Sequence, residues 1–241
     1  MIVVSCNCNG FRTTGYINVW SQLPSVLRKL SGDPSEVFVL CLQEAGDPAG
    51  RFELTGAREG GAEEFYAFVK MGRSDIEMRG LYVRDPVCVR NSIIVMSNGE
   101  IDGCAATGAS YVSRGYAMLN VGGWNVGTLH ASSGRTPLSI LDIESCLDWM
   151  ENQSRWNSKI VAGDMNFLPE VAGPHLGARN RRSLGMVSNW RVISAGPTRG
   201  PAALDWFAVE ENYPPADYQC GVIDVGPASD HSLTWLQVPL L

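Results

Sequence analysis

Apolar runs in this 241-residue chain repeatedly deliver a polar side chain at the point where they stop. Ile2-Val-Val-Ser-Cys-Asn ends at Asn7, Val37-Phe-Val-Leu-Cys-Leu-Gln-Glu at Glu44, and Asn125-Val-Gly-Thr-Leu-His at His130. Lys159-Ile-Val-Ala-Gly-Asp-Met-Asn ends at Asp164 and Asn166, and Leu204-Asp205-Trp-Phe-Ala-Val opens on an acid. Ala228-Ser-Asp-His-Ser puts Asp230 and His231 just before the last apolar run. Buried runs rarely end on an acid, amide or imidazole unless the group is paired or used. A shared rim is therefore predicted. Of the three histidines, His130 and His231 lie at such positions, whereas His175 sits in a Pro- and Gly-rich stretch. Together these groups have the inventory for metal-assisted cleavage of a phosphate ester. Carboxylate oxygens suit Mg²⁺ or Ca²⁺ better than zinc, imidazoles move protons near neutral pH, and amides orient phosphate oxygens.

The elements that position this rim are mostly strands. Strands are predicted at Ile2 to Asn7, Val37 to Leu42, Ala67 to Met71, Ser92 to Ser97, Tyr116 to Val121, Trp124 to Leu129, Lys159 to Ala162, Leu204 to Val209 and Ser232 to Val238. Val121 and Trp124 flank Gly122-Gly123, a tight-turn pair that reads as a hairpin. Two helices stand out. Trp20, Leu23, Leu27 and Leu30 recur at helical steps, with Pro24 near the start and Gly32 as the stop. Ile140, Ile143, Leu147 and Met150 repeat the pattern, with Thr136 as N-cap and Pro137 in the first turn. Helices packed outside sheets follow from this alternation, giving a mixed α/β chain.

Composition excludes several classes. Hydrophobic residues make up 45% of the chain and charged ones 18%, which rules out a disordered chain. No apolar run approaches the roughly 20 residues of a membrane span, and polar residues follow Met1-Ile-Val-Val at once, so neither a transmembrane segment nor a signal peptide is expected in these residues. Nineteen Lys and Arg against 25 Asp and Glu give a net charge of -6, so contact with nucleic acid must come from a local patch. Seven cysteines without a C-x-x-C pair argue against a zinc site and a dense disulfide framework. Nothing in composition or repeats divides the chain, and residues 1–241 are expected to form one domain.

Taken in order, Ser5-Cys-Asn7, Leu42-Gln-Glu44, Arg90-Asn91-Ser-Ile, Thr128-Leu-His130, Gly163-Asp164-Met-Asn166, Leu204-Asp205-Trp and Ser229-Asp230-His231 resemble the endonuclease/exonuclease/phosphatase superfamily. Within it, Leu42-Gln-Glu-Ala-Gly46, Arg114 and His130-Ala-Ser-Ser-Gly-Arg135 are similar to the B subunits of cytolethal distending toxins. The resemblance implies a four-layer α/β sandwich of deoxyribonuclease I type, with two central mixed β-sheets flanked by helices. It implies a Mg²⁺-dependent enzyme, with Ca²⁺ or Mn²⁺ as alternatives, that nicks DNA. The alternatives in function are a phosphoinositide phosphatase using the same site and a catalytically silent assembly subunit.

Residue by residue, the resemblance makes Glu44, Asn7 and Asp230 the metal ligands. His130 and His231 would flank the scissile phosphate, one as general acid and one assisting water. Asp205 would orient His231, Asp164 and Asn166 would position water and phosphate, and Arg114, Arg135 and Asn91 would contact the substrate. It further implies delivery or binding subunits as partners and a secreted toxin acting in a host nucleus, with a cytoplasmic protein as the alternative. Two departures matter. Cys6 stands where the family has tryptophan, and the acid that partners the first histidine could be Glu63, Glu64, Glu77 or Asp85. Arg179, Arg181 and Arg182 form a basic cluster read as a solvated loop, and Trp149, Trp156 and Trp190 are read as packing residues.

Overall fold

The N-terminal apolar run becomes strand β1 (Ile2–Asn7), buried at every residue, as expected of a strand covered on both faces. The computed structural model describes residues 1–11, 18–33, 35–47, 53–58, 61–71, 73–109, 114–153, 158–176, 179–181, 186–188, 190–210 and 218–241. After β1 come α1 (Val19–Leu30), β2 (Phe38–Gln43), β3 (Glu53–Ala57), β4 (Ala62–Met71), β5 (Ser74–Val83), β6 (Ile93–Ser97), β7 (Ile101–Thr107), β8 (Tyr116–Val121) and β9 (Trp124–His130). They are followed by α2 (Thr136–Gln153), β10 (Ser158–Asp164), α3 (Pro169–Leu176), β11 (Arg179–Arg181), β12 (Met186–Ser188), β13 (Trp190–Ile193), β14 (Asp205–Glu210), β15 (Gln219–Ile223) and β16 (Leu233–Gln237).

The strands form an eight-stranded sheet in the order β15-β16-β1-β2-β6-β5-β4-β3 and a six-stranded sheet in the order β13-β14-β10-β9-β8-β7, with β11 and β12 as a separate pair. Both large sheets are mixed, because β1 and β2 run parallel in one and β9 and β10 in the other. Alternation along the strands sorts the apolar residues into three cores. Val4, Leu40 and Met96 face Leu23 and Leu27 of α1. Val3, Val39, Val126, Ile160 and Phe207 pack between the sheets. Val161, Trp206 and Ala208 meet Ile143, Leu147 and Met150 of α2, with Ala172 of α3. The result is the four-layer arrangement of helix, sheet, sheet and helix.

Several expectations shift. Asn18 caps α1: its side chain accepts from Ser21 N–H at 2.9 Å, Ser21 Oγ answers at the cap, and Pro24 lies inside the helix. Thr136 is inside α2, since Ser139 N–H bonds the Arg135 carbonyl to close the first turn. The strand expected at Ala67 begins at Ala62, and the one expected at Leu204 begins at Asp205. Strands β3, β5, β7, β11, β12, β13 and β15 were not anticipated, and β11 holds Arg179 and Arg181 in a strand rather than the expected loop; sequences such as Glu53-Leu-Thr-Gly-Ala are held by their neighbours in the sheet. Gly122 and Gly123 form the expected hairpin turn, with φ of 56° and 81°. None of the seven cysteines forms a disulfide. No helix among the described residues is long and apolar enough to cross a membrane. Arg182 and Trp156 lie outside the described residues.

Register sets the rim. Asn7 pairs with Gln43 where β1 and β2 end, and Asp164 pairs with both His130 of β9 and Asp205 of β14. Gly163 makes the second alignment possible: a Cβ there would lie 2.0 Å from the Leu129 carbonyl oxygen, which is backbone and cannot yield cheaply. Gly163→Ala is therefore expected to lower stability by at least about 2 kcal/mol, read as a fall in thermal or denaturant midpoint. An unchanged midpoint would show that the sheet gives way at this position.

Candidate active site

Each polar group at the rim is positioned by a strand end and a sharp exit. Among the described non-glycine residues, φ is positive only at Asn9, Glu44 and Asn166, at 49°, 45° and 56°. All three follow within two residues the end of a strand that carries the site, and such conformations mark places where backbone is held against its preference. Loop contacts fix the remaining member. Ser229 Oγ donates to the Asn7 carbonyl at 2.6 Å and accepts from His231 N–H at 3.1 Å, which ties the approach to β16 onto the end of β1. Thr198 Oγ1 accepts from the N–H groups of Leu204 and Asp205, and its carbonyl accepts from Ser232 N–H.

Asp164 Oδ2 lies at the centre. It accepts from Asn7 Nδ2 at 3.0 Å and stands 3.7 Å from His130 Nε2 and 3.8 Å from His231 Nε2. Asn7 Nδ2 also donates to Glu44 Oε1 at 3.1 Å, and His130 Nε2 is 3.9 Å from that oxygen. His231 Nδ1 pairs with Asp205 Oδ2 at 2.8 Å, which turns Nε2 toward Asp164. Asn166 holds Asp164 through its backbone N–H at 3.0 Å and reaches the Ala131 carbonyl with its side chain. Beneath the rim, Gln43 of β2 donates to Thr128 Oγ1 of β9 at 2.9 Å, a second polar link between the two sheets.

The remaining predicted residues are arranged around this group. Asp230 is exposed and pairs with Arg199 at 2.9 Å. Arg114 faces Asp85 at 3.8 Å, and both line a small cavity of about 10 Å³ together with Asn91 and His130. His130 Nδ1 is buried without a hydrogen-bond partner. Of the four acids considered for that histidine, Asp85 is the one that shares this cavity, while Glu64 and Glu77 pair with Arg58 and Arg79. Arg135 is exposed just ahead of α2. Sequence reading missed Arg90, which forms a close ion pair with Glu44 and donates to Asn9 Oδ1 at 2.7 Å. Its position beside Asn91 in a quoted motif was the available signal.

Burial shifts the ionisation of these groups in opposite directions. Loss of solvent, reinforced by Asp205, pushes the Asp164 carboxyl up to about 7, against the pull of His231, Asn7 and Asn166 N–H. Loss of solvent lowers His130 to about 4, despite the charge of Glu44. His231 is pulled both ways: burial lowers it, but the hydrogen bond and charge of Asp205, with Asp164 and Asp230, raise it above the usual imidazole value.

The donor set fits a hard divalent cation. Asp164, Asp205 and His231 offer ligand atoms that all lie within 4.8 Å of one another, and Asp205 Oδ1 is buried with no hydrogen-bond partner. Glu44 adds a third carboxylate beside Asn7. Three acids and few nitrogen donors favour Mg²⁺, Ca²⁺ or Mn²⁺ over softer ions.

No protein-family model matches the sequence, and no curated protein matches it. Solved structures do. Cytolethal distending toxin from Actinobacillus actinomycetemcomitans aligns with a TM-score of 0.72 at 19% identity, covering 98% of this chain and 97% of that one. TDP2 from D. rerio, complexed with a single-strand DNA product, aligns at 0.58 and 14% identity, covering 98% and 97%. Beta toxin from Staphylococcus aureus, with bound magnesium ions, aligns at 0.55 and 14%, covering 98% of each chain. The architecture is the deoxyribonuclease I-like fold. Among its solved examples, the cytolethal distending toxin chains align with TM-scores of 0.70 to 0.72.

The opposed shifts give a test in metal-free protein. Asp164 holds a proton in the fold between its ordinary 3.8 and about 7, so its contribution to stability falls as pH rises through that window. His130 lacks in the fold the proton it would carry in the unfolded chain between about 4 and 6.5, so its contribution rises with pH. In the intact protein the two nearly cancel. With EDTA present, denaturant unfolding of Asp164→Asn is expected to show stability rising from pH 4 to 6.5, and that of His130→Gln to show it falling. Parallel slopes would remove the assigned proton positions.

Proposed function

We propose that the chain is a divalent-metal-dependent phosphodiesterase that nicks DNA, with Mg²⁺ as its ion, in the manner of the cytolethal distending toxin B subunits. The observation that carries this reading is the convergence of His130 and His231 on Asp164 from different sheets, with Asp205 behind His231 and Glu44 beside Asn7. In this reading the two imidazoles act at different sides of one phosphate, one giving a proton to the leaving oxygen and one taking a proton from water. Asp205 holds His231 in a single orientation. Arg114 at the cavity edge and exposed Arg135 supply positive charge for phosphate oxygens in an otherwise acidic protein. When bound, the cation supplies charge that stabilises the negative charge developing on the phosphoryl oxygens.

The solved relatives support the same chemistry: one is complexed with DNA and another holds magnesium. The reading extends to a genotoxic effector, delivered by partner subunits and acting in the nucleus of a host cell. Its test is relaxation of supercoiled plasmid in Mg²⁺, in EDTA, and by the His231→Ala and Asp164→Ala proteins. Relaxation is expected with Mg²⁺ only, reduced by about 100-fold or more in each variant. Failure of the intact protein to nick at high concentration in Mg²⁺ or Mn²⁺ would overturn the nuclease reading and move the substrate to a phosphoinositide, assayed next by phosphate release.

A further inference from the structure

Both oxygens of Glu44 are in use. Oε1 accepts from Asn7 Nδ2 at 3.1 Å, while Oε2 meets Arg90 Nε in a close ion pair. Arg90 is also tethered from a second direction, because its Nη2 donates to Asn9 Oδ1 at 2.7 Å. Its stem runs across Gly10, where a Cβ would come within 3.3 Å of Arg90 Cγ. Gly10 has φ of 69°, so the turn after β1 combines a conformation that suits glycine with a bare surface for the arginine to lie on. The guanidinium thus bridges the turn after β1 and the residue after β2, and nothing in the site chemistry described above accounts for it.

Two physical features make this contact exchangeable. Arg90 is 41% exposed against 14% for Glu44, so its head can return to water while the carboxylate cannot. A divalent cation takes carboxylate oxygens directly, and a guanidinium held on the same carboxylate would be repelled by it at close range. The two positive groups compete for one acceptor. Guanidinium planes also match phosphate as well as carboxylate, which gives a released arginine a second partner at the same rim.

We propose that Arg90 and the divalent cation are alternative partners of Glu44, with Arg90 bracing the carboxylate in the metal-free protein and turning to a substrate phosphate when the cation arrives. This rests on the phosphodiesterase reading of the site. It makes Arg90 a phosphate-binding residue whose availability is coupled to metal loading. A purely structural brace makes the opposite prediction: removing it would leave Glu44 less well oriented and weaken metal binding.

Calorimetric titration of Mn²⁺ into EDTA-stripped wild type, Arg90→Gln, Arg90→Lys and Glu44→Gln separates these cases. Arg90→Gln is expected to bind Mn²⁺ roughly threefold tighter or more, since a competing charge has been removed. Arg90→Lys keeps the charge but cannot span Asn9 and Glu44 together, and is expected between the two. At saturating Mn²⁺, KM for duplex DNA should rise in Arg90→Gln while kcat stays within about twofold, as for loss of uniform binding. Unchanged or weaker Mn²⁺ binding in either arginine variant overturns the inference and leaves the phosphodiesterase reading standing. Equal Mn²⁺ uptake by wild type and Glu44→Gln removes Glu44 from the metal site and overturns both this inference and that ligand assignment.

Discussion

A carboxylate buried where two sheets meet organises this protein. Asp164 ends β10 in the six-stranded sheet, yet its Oδ2 accepts from Asn7, which ends β1 in the eight-stranded sheet. Both side chains are buried. Stripping water from an acid is costly, and the cost is met only by what converges on it. Here that is an amide, a backbone N–H from Asn166 and two imidazoles at near-contact distance. Two of these groups, the Asn7 amide and the His231 imidazole, reach Asp164 only if the two sheets keep their separation and register, which the apolar inner core of Val3, Val39, Val126, Ile160 and Phe207 enforces. Loss of either the core or the alignment would strand an uncompensated acid. The same burial that raises the proton affinity of Asp164 raises its appetite for any positive charge, and this is why a cation-binding site can form at an end of otherwise apolar strands.

Charge around the mouth follows a related logic. The chain is acidic overall, yet arginines stand beside the site and three of them are matched to an acid: Arg90 to Glu44, Arg114 to Asp85 and Arg199 to Asp230. Matched charges contribute little field at a distance. Close to the rim they can be re-paired, because an incoming phosphate competes for the guanidinium and an incoming cation for the carboxylate. A net charge of -6 is therefore compatible with a polyanionic substrate when the positive groups sit on the rim and their partners are exchangeable.

Much of this was legible in the sequence, for reasons that particular residues make clear. Val3, Val4, Leu40 and Leu42 form continuous apolar runs because their strands are covered on both faces, so their ends, and the polar groups there, could be found by reading. Gly122-Gly123 announced its hairpin because both residues need positive φ. By contrast, β5 reads Ser-Asp-Ile-Glu-Met-Arg-Gly-Leu-Tyr-Val, with four exposed residues of which three are charged, and is a strand because it pairs with β4 and β6. The same holds for Arg90 and Asp85. Arg90 meets Glu44 across 46 residues of chain, and the acids at 63, 64, 77 and 85 could be told apart only once β4 and β5 carried the first three to other surroundings. Local pattern reveals a rim built by strand ends, but the pairs that tune it are set by tertiary placement.

Strain and rigidity complete the account. Asn9, Glu44 and Asn166 adopt a left-handed backbone immediately beyond strands whose interiors are fully buried. A strand continued straight past Gln43 would alternate its side chains to opposite faces, and the carboxylate of the next residue would not turn toward Asn7. Reversing φ at Glu44 breaks the alternation in one step and brings Oε1 to 3.1 Å from the Asn7 amide. At Asn166 the same reversal lets the backbone N–H cap Asp164 Oδ1 while the side chain reaches Ala131. Such conformations persist only when the surroundings over-determine them, and paired sheets with three apolar cores do so. The site is thus preorganised by strands buried in three cores, with the exposed Arg90, Arg135 and Arg199 at its edge.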